Sequence, residues 1–290
     1  MKFLLVLVAA RHKISLTDAM VARVRDVIAG GNPAWLAPGE AAEIPCMIEP
    51  NAAAVLAALD HQPVDFFAVK ARGRRKAVLI ADMDSTIVTS ETLDELAAEA
   101  GLGTQVAAIT ARSMAGTIDF AQSLRERVAL LKGLDITALD RTWRRTEFSS
   151  GARELVATMR ANGALTALVS GGFTYFTARV AAELGFDLHR ANTLLDDGSR
   201  LTGLAQEPIL DRDAKRTALH ELAAQRGVQL RATLAVGDGA NDLAMIEEAG
   251  AGVAYHGKNI LLERAKLRID HADLRALLFL QGYPASTFRT

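Results

Sequence analysis

At 290 residues, with 50% hydrophobic and 23% charged positions, the chain is long enough for two globular domains and a sizeable buried core. Its 33 basic and 34 acidic residues leave a net charge of −1, so no basic excess draws it to nucleic acid or to an anionic membrane surface. Cys46 is the sole cysteine, which excludes an internal disulfide and suits a reducing cytoplasm.

The opening apolar run from Phe3 to Ala10 follows a single lysine and meets charge at once at Arg11. Its length and flanks predict a buried strand over Phe3–Ala9 and not an export signal. No stretch approaches the roughly 20 apolar residues that span a bilayer. A helix is expected over Leu16–Ile28, then the breaker Gly30–Gly31–Asn32–Pro33 and strand pieces at Ala34–Leu36 and Glu43–Ile48. Asn51–Leu59 reads as a helix with Asn51 as N-cap, and Val64–Val69 as a strand. The order βαββαβ is that of a ferredoxin-like sandwich, so residues 1–70 are expected to form a small unit of their own. The basic run Lys70–Lys76 reads as a solvated linker, more readily than as a nucleic-acid patch.

From Ala77 the pattern changes, and residues 71–290 are expected to form a second, larger domain. Apolar runs stand at Val78–Ala81, Leu165–Val169, Thr233–Val236 and Gly252–Tyr255, the last broken by its glycine, with helical stretches between. Short runs without polar alternation are the mark of parallel strands buried on both faces, which predicts a doubly wound α/β domain. Ala191–Leu195 and Leu201–Leu204, around Asp196–Asp197–Gly198, predict a hairpin. Between the first two runs lies a helical insert at about 91–150, with Leu93, Leu96, Ala97 and Ala100 on one face and Leu124, Val128 and Leu131 on another. Inserted just after the first core strand, it is expected to sit as a cap over that strand's carboxyl end, where α/β folds bind ligands.

Four segments carry candidate chemistry: Asp82-Met83-Asp84-Ser85-Thr86, Ser170-Gly171-Gly172, Lys215, and Gly237-Asp238-Gly239-Ala240-Asn241-Asp242. Each follows a core strand or begins a helix, so a doubly wound fold gathers them along one rim of the sheet. Alone, an aspartate pair is a turn or cap, S-G-G a turn, and a lysine in a first helical turn a solvated charge. Together, and in this order, they resemble the motif set of haloacid-dehalogenase-type phosphatases.

That resemblance implies a Rossmann-like core, with Asp82 as the nucleophile that takes a phosphoryl group and Asp84 as the acid and then base of the two half-reactions. It implies Mg²⁺ on Asp82, Asp238 and the backbone carbonyl of Asp84; six scattered histidines argue against zinc. Ser170, Gly171 and Lys215 would hold the phosphoryl oxygens, while Ser85 and Thr86 fix the loop. Asp242 is left open between orienting Lys215, a metal-bound water, and capping the helix near Asn241.

Over Ala77 to Leu280 the resemblance tightens to the phosphoserine phosphatases, through DMDSTIVTSETLDELA and IDFAQSLRERVALLKGL. It implies Glu91 on the substrate ammonium and Arg127 on its carboxylate, with Arg125 solvated. Phe120 and Met114 would pack over the bound ligand, and Asn241 would contact its phosphate side. The expected reaction is Mg²⁺-dependent hydrolysis of O-phospho-L-serine, the last step of serine biosynthesis. The alternative is a phosphatase or phosphotransferase of the same fold acting on another small phosphomonoester. An amino-acid sensor with an inactive phosphatase half is a rival of another class, against which the intact Asp82, Asp84, Lys215 and Asp238 speak. Residues 1–70 loosely resemble the small ACT-like domains of amino-acid enzymes, through strand order alone. Serine binding, contact within a homodimer and simple packing all stay open for that unit.

Overall fold

Strand β1 (Phe3–Ala9) is apolar at every position because both of its faces are covered. The computed structural model describes residues 2–114 and 117–290, with the side chains of Met114, Arg212 and Asn259 outside the description. Along β1, Leu5, Leu7 and Ala9 meet Met20, Val21 and Val24 of α1 (Asp18–Val27) and Val55 of α2 (Ala52–Ala58). The alternate Val6 and Val8 belong to the core of the larger domain. Burying a side chain of this size stabilises the fold by about 1.5–3 kcal/mol. The sheet also contains β2 (Ala34–Ala37), β3 (Ala41–Cys46) and β4 (Val64–Lys70) in the antiparallel order β2-β3-β1-β4. The expected βαββαβ order holds, and Asn51 caps α2 through Oδ1, which accepts the Ala54 N–H at 3.0 Å.

The basic segment after β4 differs from a solvated linker. Arg74 pairs with Glu43 at 2.6 Å, the Lys76 backbone N–H donates to Gln281 Oε1 at 3.0 Å, and Lys76 Nζ donates to the Arg231 carbonyl at 2.7 Å. Arg75 lies 4.4 Å above the Tyr283 ring. With the open face of the small sheet covered by the larger domain, the linker has both surfaces to bind.

The larger domain is built on six parallel strands in the order β12-β11-β10-β5-β6-β7. From β5 (Val78–Ala81) the chain enters four cap helices: α3 (Thr92–Glu99), α4 (Gly103–Met114), α5 (Phe120–Leu130) and α6 (Thr137–Arg145). It returns through α7 (Ala152–Ala161), β6 (Leu165–Phe173), α8 (Thr174–Leu184) and β7 (Leu188–Asn192). A hairpin of β8 (Leu194–Asp196) and β9 (Leu201–Ala205) follows, then α9 (Arg212–Gln225) and β10 (Thr233–Gly237) on the other side of β5. The chain ends with α10 (Leu243–Glu248), β11 (Ala251–Tyr255), α11 (Asn259–Arg264), β12 (Leu267–Ile269) and α12 (Ala276–Leu280). The strand order reverses between β5 and β10, and such a switch point opens a crevice at the carboxyl ends. No helix among the described residues is long and apolar enough to cross a membrane.

Two expectations shift in detail. Ala191 and Asn192 close the parallel strand β7, so the hairpin begins only at Leu194. The glycine that breaks the fourth apolar run, Gly252, is required by packing: a Cβ there would lie 1.8 Å from the Ile246 carbonyl oxygen.

The cap joins the core through a narrow neck. Val88 pairs antiparallel with Phe148, the Thr89 N–H donates to the Glu147 carbonyl at 2.9 Å, and the Ser149 N–H to the Ile87 carbonyl at 2.9 Å. Leu93, Leu96, Ala97, Leu124, Val128 and Leu131 are buried in the cap interior. The hairpin is bonded to it, the Leu201 N–H donating to the Leu134 carbonyl at 2.8 Å.

Candidate active site

The segment after β5 makes a tight turn. The Met83 N–H donates to Asp82 Oδ1 at 2.8 Å, Ser85 takes the left-handed φ of 54°, and the Val88 N–H closes back on the Met83 carbonyl at 3.0 Å. A left-handed serine is uncommon, and such strain collects at functional loops. The turn separates the two aspartates. Asp82 pairs with Lys215 Nζ at 2.8 Å, whereas Asp84 accepts the Thr92 N–H at 2.9 Å and the Ser170 hydroxyl at 3.3 Å. Burial, reinforced by the charges of Glu91 and Asp82, pushes the Asp84 carboxyl up to about 7, against the pull of the Thr92 N–H. Two carboxylates of one turn are thereby set apart, one ion-paired and one poised to carry a proton near neutrality.

Lys215, in the first turn of α9, is 1% exposed and bridges Asp82 to Asp242 Oδ1 at 2.6 Å. Burial opposes its charge, but Asp242 and Asp82 outweigh that and hold its pKa above the ordinary lysine value. Asp242 performs two of the tasks left open for it: Oδ1 holds Lys215 and Oδ2 accepts the Gly239 N–H at 3.1 Å. Burial and the Asp82 charge push its carboxyl up, against Lys215.

At the end of β6, Ser170 is buried and its Oγ accepts the Gly172 N–H at 2.9 Å. The glycines follow from crowding. A Cβ on Gly171 would stand 2.8 Å from the Phe120 ring, and one on Gly172 would stand 2.8 Å from Asp84 Oδ2. Ser170-Gly171-Gly172, expected to follow the strand, forms the irregular end of β6 itself, and Phe120, first residue of α5, lies directly over it. Asn192, a residue that no motif flags, braces this segment by donating to the Gly171 carbonyl at 2.9 Å while its Oδ1 accepts the Leu210 N–H at 2.7 Å.

Asp82, Asp238 and Asp242 bring carboxylate oxygens within 4.8 Å of one another, the acidic group among the described residues that could hold a metal ion. Asp242 is committed to Lys215 and Gly239, so Asp82 and Asp238 are the better ligands. Asp238 Oδ1 receives the Thr86 hydroxyl at 3.5 Å, while its buried Oδ2 has no hydrogen-bond partner. Lys258 Nζ stands 2.8 Å from that oxygen, an ion pair without hydrogen-bond geometry. Carboxylate oxygens gathered this closely, one of them with the Lys258 ammonium as its polar partner, fit a hard divalent cation.

In the cap, Glu91 Oε1 accepts the Ser85 hydroxyl at 2.8 Å and Lys258 Nζ at 3.1 Å. Arg127 is largely buried on α5, where its Nε donates to the Ser123 carbonyl at 3.3 Å. Burial lowers its pKa while Asp94, Glu91 and Asp84 pull it back up, which places the guanidinium in the field of the site's acids. Arg125 is exposed and paired with Glu207 at 2.8 Å, away from that group. Asn241 is half-buried in the turn Ala240–Asp242 and bonded to none of the residues above. The side chain of Met114 lies outside the described residues. Lys258 and Asn192 are the polar members that the sequence motifs did not supply.

The chain belongs to the haloacid dehalogenase-like hydrolases: residues 79–247, more than half of its length, match that family. Phosphoserine phosphatases of Archaeoglobus fulgidus and Streptomyces coelicolor are 43% and 41% identical to it, over 73% and 76% of the chain. The chain spans 62% and 54% of the lengths of those two relatives. Among solved structures, a haloacid dehalogenase family hydrolase of Salmonella enterica superposes with a TM-score of 0.86 at 28% identity, covering 97% of this chain and 98% of that one. A phospho-aspartyl intermediate analogue of a phosphoserine phosphatase superposes with a TM-score of 0.66 at 40% identity, covering 71% and 98%.

Proposed function

We propose that the protein is a cytoplasmic phosphoserine phosphatase that hydrolyses O-phospho-L-serine to L-serine and phosphate with Mg²⁺. One observation carries the reading: the buried Asp82 at the end of β5 is paired with Lys215 and backed by Asp238, while burial and Glu91 push the Asp84 carboxyl beside it up to about 7. The names of the relatives supply the substrate, and Glu91 and Arg127 supply its complement in the cap.

A divalent cation held by Asp82 and Asp238, with the Asp84 backbone carbonyl, would offset the repulsion between a carboxylate and a phosphate dianion. Asp82 attacks the phosphorus, forming a P–O bond to its carboxylate as the bond to the serine oxygen breaks. Asp84 gives its proton to the departing alkoxide and then takes one from the water that cleaves the aspartyl phosphate, which returns both carboxyls to their starting states. Lys215 and the Ser170–Gly171 segment stabilise the charge that develops on the transferring oxygens. Glu91 receives the serine ammonium and Arg127 the serine carboxylate, as a guanidinium does best. Phe120, over Ser170 and Gly171, shields the acyl phosphate from water until the serine leaves.

Phosphate release from L-phosphoserine, phosphothreonine and a sugar phosphate, with Mg²⁺ and with chelator, tests the reading. It predicts a clear preference for phosphoserine that chelator abolishes. Equal rates on all three substrates would remove Glu91 and Arg127 from the assignment and leave a phosphatase of broader use.

A further inference from the structure

Lys258 is placed by its backbone before its side chain acts. Its N–H donates to the Asp238 carbonyl at 2.8 Å, and as N-cap of α11 its own carbonyl receives the Leu261 N–H at 2.8 Å. From that anchor the ammonium reaches two carboxylates on opposite sides of the cleft, Asp238 of the core at 2.8 Å and Glu91 of the cap at 3.1 Å. The first of these is the buried Asp238 Oδ2, which has no other hydrogen-bond partner among the described residues, and the second is the cap's exposed acid over the turn. Lys258 itself is 57% exposed, so leaving the pair costs it little desolvation.

We propose that Lys258 is an internal counter-cation: its ammonium pairs with Asp238 and Glu91 in the resting site, links cap to core, and gives up both carboxylates to arriving cations. The proposal rests on the reading of Asp238 as a divalent-metal ligand and adds that the site is already occupied by the chain's own charge. The buried Asp238 and the exposed Glu91, two acids facing one site, repel each other unless a cation stands between them. A lysine suits this task better than an arginine, being a compact charge on a flexible stem that can swing away. The metal and the substrate's ammonium then each displace one contact of the same side chain, which makes the first to arrive favour the second. Lys258 is a positioning residue in this scheme and takes no part in bond making.

Mg²⁺ titration by calorimetry, without substrate, separates this proposal from the reading beneath it. Lys258→Met is expected to bind Mg²⁺ about threefold to fivefold more tightly than the parent, since a half-exposed ion pair no longer competes. In the same variant the melting temperature of the metal-free protein falls while that of the Mg²⁺-saturated protein is unchanged, and Lys258→Arg restores the parent's behaviour in part. Unchanged or weaker Mg²⁺ binding by Lys258→Met overturns the counter-cation role. Asp238→Asn serves as the second arm: retained Mg²⁺ affinity there overturns the metal site and the proposal together, whereas lost affinity with an unaltered Lys258→Met overturns the proposal alone.

Discussion

The two larger sheets of this molecule each bury an aspartate, and they use it in opposite ways. On β4, Asp65 is 5% exposed and its two oxygens accept the N–H groups of Asp270, His271 and Ala272 at 2.9, 3.1 and 2.7 Å. It fastens the small unit to the loop after β12, beside the ion pairs Arg11–Asp273 and Arg275–Glu40 at 2.9 and 2.8 Å. At the end of β10, Asp238 is 4% exposed but keeps one oxygen without a hydrogen bond. A buried carboxylate whose acceptors are filled by backbone is an architectural joint, and one met by a mobile, exposed ammonium is open to exchange for a ligand. The small sheet therefore contributes adhesion, whereas the parallel sheet holds its acid against the ammonium of an exposed lysine, Lys258, where its strand order reverses.

Substitutions can break that contrast, and the largest effect belongs to Asp82, the proposed nucleophile. Asp82→Asn should lower kcat for phosphoserine by about 10⁴-fold or more, measured as phosphate release, because no second group can form the acyl phosphate. Lys215→Met should cost about 10²- to 10³-fold in kcat and also lower the melting temperature, since it leaves Asp82 and Asp242 facing each other unpaired. Arg127→Ala should raise KM for phosphoserine about 10- to 100-fold while sparing a phosphomonoester without a carboxylate. Asp65→Ala should destabilise the fold by about 1–3 kcal/mol in denaturant titration, with kcat unchanged in the folded protein, because it leaves three backbone donors without an acceptor.

The smallest effect sharpens the comparison through acidity. In metal-free protein, the Asp84 carboxyl should titrate near the value of about 7 to which burial and Glu91 push it, as read by carbon NMR. Glu91→Gln should move that titration to lower pH, because the neighbouring negative charge no longer opposes ionisation, and Mg²⁺ should move it the same way. A raised carboxyl pKa favours the protonated acid, so donation to the leaving group weakens as pH rises through it.

Much of this was legible along the chain, for a physical reason. Val78–Ala81 and Thr233–Val236 are buried on both faces, and that condition erases polar alternation from the sequence. Strand β1 was equally plain, though its unbroken apolarity arises from the larger domain packed on its second face. β7 was harder: Leu-His-Arg-Ala-Asn lies at the edge of the sheet with its middle exposed, and its last two residues read as the start of the hairpin. The D-x-D and G-D-G segments announced themselves because each must place a charge at a strand end, and S-G-G because its glycines let main chain and a hydroxyl crowd the same rim. Lys258 and Asn192 carry no such signature. Lys258 matters only because β11 lies beside β10, which brings its loop to Asp238, and Asn192 only because β7 lies beside β6. Neighbourhood across a sheet is a product of topology, and no window of sequence displays it.

The claim that supports all the others is that Asp82 accepts the phosphoryl group. Acid-quenching the enzyme milliseconds after mixing with phosphoserine and Mg²⁺, followed by peptide mass spectrometry, tests it directly. The account predicts one added phosphoryl group on the peptide containing Asp82, absent from Asp82→Asn and from chelated enzyme. Turnover without any phosphorylated peptide, or a phosphoryl group on another residue, would contradict it.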